Sequence, residues 1–443
     1  MDEAIYQRMT SRRKFLKQSS LASLAAFSFP ALIKPQHQQL ILDATEKIKH
    51  VSPDEVAMDE TYWATITDAY SVSPEIINVN NGGVSPQPIM VQDRQNEMNR
   101  MSNLAPSYYM WRVLDQGREP LREKLALLAN CAADEIAINR NSTEGLETII
   151  YGIDLLAGDE VILTKQDYPN MMNAWKLREK RHGIKLVWLN LELPQETDEY
   201  FVDAYVNAVT EKTKVIHVTH IINWNGQILP VKKIADAVRQ KNPTIKVVVD
   251  GAHSFCHFQF SVPDLGGDYF ATSLHKWLGA PFGTGMLWVK KENISALWPL
   301  FANDKTDSDD IRKFEALGTR SFPAEQAIGY SINFHNAIGS ERKEARLRYL
   351  KNYWCEKVKD TKGVKLYTSL KPEYSCAIGS FSIDGMEVSK IDSTLFDKYK
   401  IHAVGINIEN FHHIRVTPNV YTTLYDLDKL VKAIKQMAED ATH

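Results

Sequence analysis

From about residue 76 onward the chain alternates short apolar runs with longer stretches of helical periodicity. "DEVILT" (159–164), "KLVWLNL" (185–191), "TKVIHVTHI" (213–221), "IKVVVDG" (245–251) and "DYFATS" (268–273) are rich in Val, Ile and aromatics, and read as strands. Between them lie helical patterns such as "NMMNAWKLREKRHG" and "LPVKKIADAVRQK". Strands alternating with helices predict an α/β fold with a mostly parallel, doubly wound sheet. Right-handed crossovers then bring the strand C-termini to one edge, where ligands of such sheets bind. Beyond residue 324 the pattern changes to a long helical region, strand-like "SCAIGSFSI" and "HHIRVTP", and a final helix "LYDLDKLVKAIKQMAED". The organisation expected is a large domain over 76–325 and a smaller α+β domain over 326–443, with no internal repeat or membrane span.

The N-terminus adds an address. "SRRKFLKQSSLASLAAFSFPAL" (11–32) sets Arg12 and Arg13 before an apolar stretch too short for a comfortable membrane span. It resembles a twin-arginine export signal, so residues 1–35 are expected to engage the export machinery and carry a folded protein to the periplasm. An uncleaved segment would act as an anchor, and an ordinary basic amphipathic helix is the alternative. Residues 36–75 read as a linker passing into helix.

Composition narrows the partners. Of 443 residues, 44% are apolar and 24% charged, and the formal charge is −3 without a clustered Lys/Arg excess. That argues against nucleic acid and leaves small molecules and protein subunits. The four cysteines form no CxxC pair, so neither a disulfide framework nor a zinc site is indicated. "HSFCH" (253–257) has a metal-like look, but strand-end histidines and buried cysteines are common without metal, and none is expected.

Three stretches carry candidate chemistry. Asp250 ends a strand of apolar neighbours, where a carboxylate needs a cationic or proton-bearing partner unless it only caps a helix. In "NRNSTEGLETIIYG" (139–152), Ser142 and Thr143 stand at a helix start with Glu144 and Gly145 in its first turn. Free N–H groups and the helix dipole make such an end an anion site, although a plain Ser/Thr cap has the same sequence. In "SLHKWLGAPFGTG" (273–285), Ser273 and His275 precede Lys276. Lysine forms an imine with an aldehyde once desolvation or a nearby cation makes it nucleophilic, whereas a lone loop lysine is usually a solvated charge.

A strand-ending Asp, then S-x-H-K after the next strand, with S-T-E-G upstream, resembles the class V aminotransferase family of pyridoxal-phosphate enzymes. "NNGGVSP", "SYYMWR" and "DGAHS" are similar to its isopenicillin N epimerase-like branch. The resemblance runs from about residue 78 to the final helix. It implies the pyridoxal-phosphate transferase fold type I, a homodimer with active sites at the subunit boundary, and pyridoxal 5'-phosphate held as a Schiff base on Lys276. It further implies that Asp250 pairs with the pyridine nitrogen and that His253 lies near the phenolic oxygen. Ser142, Thr143, Ser273 and His275 hold the phosphate, and Gly318 and Thr319 in "FEALGTRSF" serve the partner subunit's phosphate. Tyr168 stacks on the ring, where related enzymes often have histidine, and joins Lys276 and Asp250 as the catalytic set. His220 lies near the ring, and Arg415 with Asn81 binds the substrate.

An amino-acid-like small molecule is thus the implied substrate, with reaction at Cα. Return of a proton to the opposite face gives epimerisation, transfer to the cofactor carbon gives transamination, and loss of a β-substituent gives a lyase. Cysteine desulfurases of the family need a mobile thiol shortly before the carboxylate arginine, but "HAVGINIENFHHIR" has no cysteine. An exported binding protein without turnover is the remaining alternative; intact Lys276, Asp250 and Arg415 count against it.

Overall fold

The computed structural model describes residues 36–442, so the expected export segment lies outside the described residues. Its strands are β1 (Ile77–Asn78), β2 (Ile136–Asn139), β3 (Glu160–Thr164), β4 (Lys185–Leu189), β5 (Thr213–Thr219), β6 (Lys246–Asp250), β7 (Tyr269–Ser273), β8 (Gly285–Val289), β9 (Val364–Leu366), β10 (Gly379–Ile383), β11 (Ile401–His402), β12 (Val404–Ile408) and β13 (Phe411–Val416).

β2 to β8 form a seven-stranded sheet in the order β2-β8-β7-β6-β5-β3-β4. All neighbours from β7 to β4 run parallel, and β8 alone is antiparallel to both β7 and β2. The central strands are continuous Val/Ile runs because both sheet faces are covered. Ile216, Val218, Val247 and Val249 enter one core with Leu125, Phe201 and Ile234, whereas Val215, Val248 and Ala271 enter the other with Leu146, Met171 and Trp175. Period-2 alternation therefore assigns His217, Thr219 and Asp250 to the second face.

β9, β10, β12 and β13 make an antiparallel sheet in the order β12-β13-β10-β9. It shares a core with the helices Ser340–Val358, Val388–Tyr399 and Leu424–Thr442, in which Trp354, Phe381, Ile391 and Leu430 are buried. β1 pairs parallel with β11 as a separate two-stranded sheet, and Asn81 N–H donates to Thr417 O (3.2 Å), so the segment ahead of the large sheet is laced to the C-terminal part of the chain.

Two expected boundaries shift. Residues 36–75 are helical over Gln36–Lys47, Pro53–Ala57 and Glu60–Thr67, the second and third capped by Ser52 and Asp59. Val56, Trp63 and Ile66 are buried with Ile221, Trp277, Leu347 and Ile378, which makes this segment part of the core and not a tether. The helix Phe322–Ile338 crosses the expected 325/326 boundary, and its Ile328 and Ile332 pack in the core of β5 and β6. The change of domain thus falls at the end of that helix, where Gly339 adopts φ 93°. Among the described residues no helix is long and apolar enough to cross a membrane.

The helix Ser142–Gly152 reaches the sheet edge through one close approach. A Cβ on Gly145 would stand 2.7 Å from Ala271 Cβ on β7 and 2.8 Å from Asn139 Nδ2 on β2. Replacing Gly145 by Val is expected to lift the helix N-terminus off the sheet and cost about 1–3 kcal/mol by overpacking. A lowered melting temperature with weakened phosphate binding checks this; an unchanged melt refutes the close packing.

Candidate active site

The site forms where β6, β7 and the helix Ser142–Gly152 end together. Asp250 closes β6 and is buried; its Oδ1 accepts the Ala252 N–H at 2.9 Å. Burial pushes its carboxyl up, and the nearby His217 ring, the Ala252 N–H and the Lys276 charge draw it back down. Lys276 follows β7, and its Nζ lies 2.9 Å from His253 Nε2. Desolvation pushes the Lys276 amine down to about 8, against the pull of Asp250, with Arg415 adding to the depression. Burial, then the positive charges of Lys276 and Arg415, hold His253 well below its ordinary range, so its ring is neutral. Its Nδ1 is buried without a protein partner.

The anion end is assembled from two chain segments. Ser142 N–H donates to Ser273 Oγ (3.0 Å), and that hydroxyl donates to Ser142 Oγ (3.0 Å). Asn141, rather than Ser142, is the cap: its side chain accepts the Glu144 N–H at 2.9 Å. Ser142 and Thr143 are therefore first-turn residues, where N–H groups lack intrahelical acceptors and the dipole favours an anion. His275 Nδ1 donates to Thr284 O (3.1 Å), which leaves Nε2 for a ligand.

Arg415, on β13, is buried beside the same cleft. Its Nη1 donates to Asn223 O (3.1 Å) and its Nη2 to Asn80 Oδ1 (2.8 Å), while Nε has no partner. Burial lowers even this guanidinium to about 10, and Tyr168 opposes that shift. Tyr168 is 42% exposed and precedes the helix Pro169–His182, consistent with a residue at the mouth.

Three expected site residues are placed otherwise. Asn81 is buried, but its carboxamide is spent on the fold: Nδ2 donates to Thr417 O (2.9 Å), and Oδ1 accepts from Tyr421 OH (2.6 Å) and Asn78 Nδ2 (3.2 Å). Its neighbour Asn80 is the one that meets Arg415. His220 donates its backbone N–H to Asp250 O (2.9 Å), yet its ring packs edge-on against Phe258 and Phe260. Alternation after His217 and Thr219 sends it to the opposite sheet face, where burial lowers it to about 3. Thr319 and Gly318 sit in an exposed loop at φ 76° for the glycine, where a Cβ on Gly318 would meet nothing within 4 Å.

The sequence reading passed over Asn80, Asn223, His217 and Asp167. Doubled asparagines before a glycine pair gave no means of choosing between Asn80 and Asn81. His217 and Asp167 are buried polar residues at β5 and just after β3; alternation inside "TKVIHVTHI" could have pointed to His217, whereas nothing local marks Asp167.

Residues 80–406 match the aminotransferase class-V family, well over half of the chain. The chain belongs to the aminotransferase class-V family. Among its relatives, isopenicillin N epimerase of Amycolatopsis lactamdurans is 25% identical over 401 residues, 86% of this chain and 100% of that protein. A probable cysteine desulfurase of Halalkalibacterium halodurans (strain ATCC BAA-125 / DSM 18197 / FERM 7344 / JCM 9153 / C-125) is 26% identical over 399 residues, 83% of this chain and 94% of that protein. Among solved structures, the cysteine desulfurase CsdA of Escherichia coli superposes with a TM-score of 0.73 at 20% identity, covering 85% of this chain and 98% of its own. The cystine C–S lyase C-DES, in complex with cysteine persulfide, gives 0.74 at 20% identity, covering 82% and 98%. These likenesses establish a fold of type I, and family membership indicates pyridoxal 5'-phosphate as the cofactor.

The residues present fit that cofactor. A depressed lysine, a buried carboxylate with one oxygen free of protein donors, and a helix N-terminus with spare hydroxyls supply the three polarities it requires. Because only the neutral amine attacks an aldehyde, cofactor uptake by the apoprotein should accelerate as pH rises toward about 8 and level off above it. Stopped-flow absorbance checks this; a rate still climbing steeply at the ordinary lysine pKa contradicts the depressed amine.

Proposed function

We propose that this protein is a pyridoxal-phosphate enzyme acting at Cα of an amino acid, of epimerase or aminotransferase type. The observation that carries the reading is the convergence of Lys276, Asp250 and Arg415 on one cleft, with Lys276 Nζ held 2.9 Å from His253 Nε2. Bound to Lys276, the cofactor supplies an electron sink for charge developing at Cα. Asp250 binds and keeps protonated the ring nitrogen, Ser142, Thr143, Ser273 and His275 hold the phosphate, and His253 neighbours the phenolic oxygen.

Arg415 binds the substrate carboxylate. Its guanidinium is oriented beforehand by Asn80 and the Asn223 carbonyl, so little freedom is lost when the carboxylate arrives. Lys276 Nζ, poised near 8, is the base that accepts and returns the Cα proton, and neutral His253 is the acceptor next to it. Tyr168, at the mouth, is the candidate for proton delivery to the other face.

A desulfurase reading lacks its nucleophile. Residues 404–416 form a paired hairpin, with Ile406 opposite His413, and contain no cysteine. Burial pushes the thiols of Cys131, Cys256, Cys355 and Cys376 up to about 12, far from the thiolate that chemistry needs.

We include two further features in the proposal. The exposed Gly318–Thr319 loop, braced by Arg320 with Glu325 (2.6 Å) and Asp115 (2.8 Å), would complete the phosphate site of a second copy in a homodimer. Residues 1–35 would direct export to the periplasm.

An amino-acid panel with the yellow holoenzyme tests the reading: keto-acid release or loss of optical rotation supports it, and no turnover with any amino acid overturns it. Replacing Lys276 by Ala should abolish both turnover and the imine absorbance. Replacing Arg415 by Lys should raise KM for amino acids by about 10- to 100-fold, the worth of one charge-assisted hydrogen bond; an unchanged KM removes Arg415 from carboxylate binding. Cell fractionation of an Arg12→Lys, Arg13→Lys variant should show retention in the cytoplasm, and unchanged periplasmic distribution would refute the export assignment.

A further inference from the structure

Behind Asp250, on the sheet face away from His220, lies a buried pair that the reaction above does not use. Trp175, in the helix Pro169–His182, is fully buried, and its Nε1–H points to His217 Nδ1 at 3.4 Å. An indole N–H only donates, so Nδ1 of His217 must be an acceptor. That rules out imidazolium, which carries a proton on both nitrogens, and places the single ring proton on Nε2. Nε2 is buried and has no hydrogen-bond partner.

The sheet register indicates which group that proton serves. β5 and β6 pair in parallel with His217 opposite Val248 and Thr219 opposite Asp250, so His217 stands one strand across and one pleat repeat along from Asp250, about 8 Å between backbones, on the same face. The immediate flanks of Asp250 offer no donor. Ala271, on β7, is apolar, and the Thr219 hydroxyl is committed to Asp167 Oδ1 at 2.6 Å. Asp250 has Ala252 N–H on Oδ1 and no donor on its other oxygen among the described residues.

We propose that Trp175 locks His217 as the neutral Nε2–H tautomer, and that this N–H acts on the Asp250 carboxylate from behind as a dipole, without a direct hydrogen bond, making His217 a positioning residue for Asp250. A neutral donor does what a second cation could not. It holds the carboxylate ionised and oriented without competing, as a charge, with the cofactor's ring nitrogen for Asp250. The charged and titratable groups around it are Asp250 itself, Lys276 across the cleft and Asp167 beside Thr219; Tyr205 OH reaches the His217 carbonyl from the other layer at 3.2 Å. Burial agrees with the assignment, since it pushes His217 down to about 4 against the pull of Asp250.

The inference rests on Asp250 being the ring-nitrogen partner, but its first test does not need the cofactor. Nitrogen-15 spectra of histidine-labelled apoprotein, assigned with a His217→Asn variant, should show His217 with an unprotonated Nδ1 and a protonated Nε2, unchanged from pH 9 to pH 5. Protonation of both nitrogens in that range, or the opposite tautomer, overturns the proposal. A Trp175→Phe variant should release the lock, so that His217 titrates or changes tautomer. If that variant fails to fold, the wild-type spectrum and an Asp250→Ala variant still decide: loss of the carboxylate should move the Nε2–H signal, and an unmoved signal overturns the coupling between the two groups. In His217→Asn holoenzyme, the pH at which the cofactor absorbance titrates should shift from the wild-type value. An unshifted titration leaves only a packing role and overturns the positioning one, while colourless holoenzyme with intact histidine spectra would fault the cofactor reading alone.

Discussion

The structure depends on keeping one half-buried amine close to one buried carboxylate. Apart, each would be costly to bury: burial drives the Lys276 amine down and the Asp250 carboxyl up, toward neutrality in both cases. Their mutual attraction opposes both shifts, and the result is a lysine that gives up its proton near 8 opposite a carboxylate held in place. The parallel sheet makes this possible. Asp250 and Lys276 belong to consecutive strand ends, which right-handed crossovers bring to a single edge.

Around that pair, each polar group has either a protein partner or an evident duty toward a ligand. The hydroxyls of Ser142 and Ser273 bond one another at the helix N-terminus, Asn80 and the Asn223 carbonyl orient Arg415, and Asn141 takes the capping role that frees Ser142 and Thr143. What is left without a protein partner is informative: His253 Nδ1, Arg415 Nε and His217 Nε2 are buried polar atoms that all lie close to Asp250, Lys276 or the carboxylate arginine. The last of these sits behind the carboxylate and not in the cleft, which separates a device for tuning Asp250 from the groups that meet substrate.

The likeness to both epimerases and desulfurases is a likeness of scaffold and of electron sink. The segment before the carboxylate arginine is a hairpin closed by Glu409 and Asn410, the latter accepting from Gln166 Nε2 at 3.1 Å, in the loop that leads to Tyr168.

Local pattern alone determined the alternation of strands and helices, the strand-ending position of Asp250, the helix start at Ser142 and the isolation of Lys276, because each is set by neighbours within a few residues. It did not determine that residues 36–75 are packed, since the burial of Trp63 depends on Trp277 and Leu347 far along the chain. Nor could it separate Asn80 from Asn81, whose roles are decided by Arg415 and by Thr417 and Tyr421, all more than 300 residues away. His220 and His217 look equivalent in "TKVIHVTHI", and only the pleat, once its two faces were covered by different helices, sent one toward Phe258 and Phe260 and the other behind Asp250. Residue chemistry is written locally, whereas the direction in which a side chain points is a property of the assembled sheet.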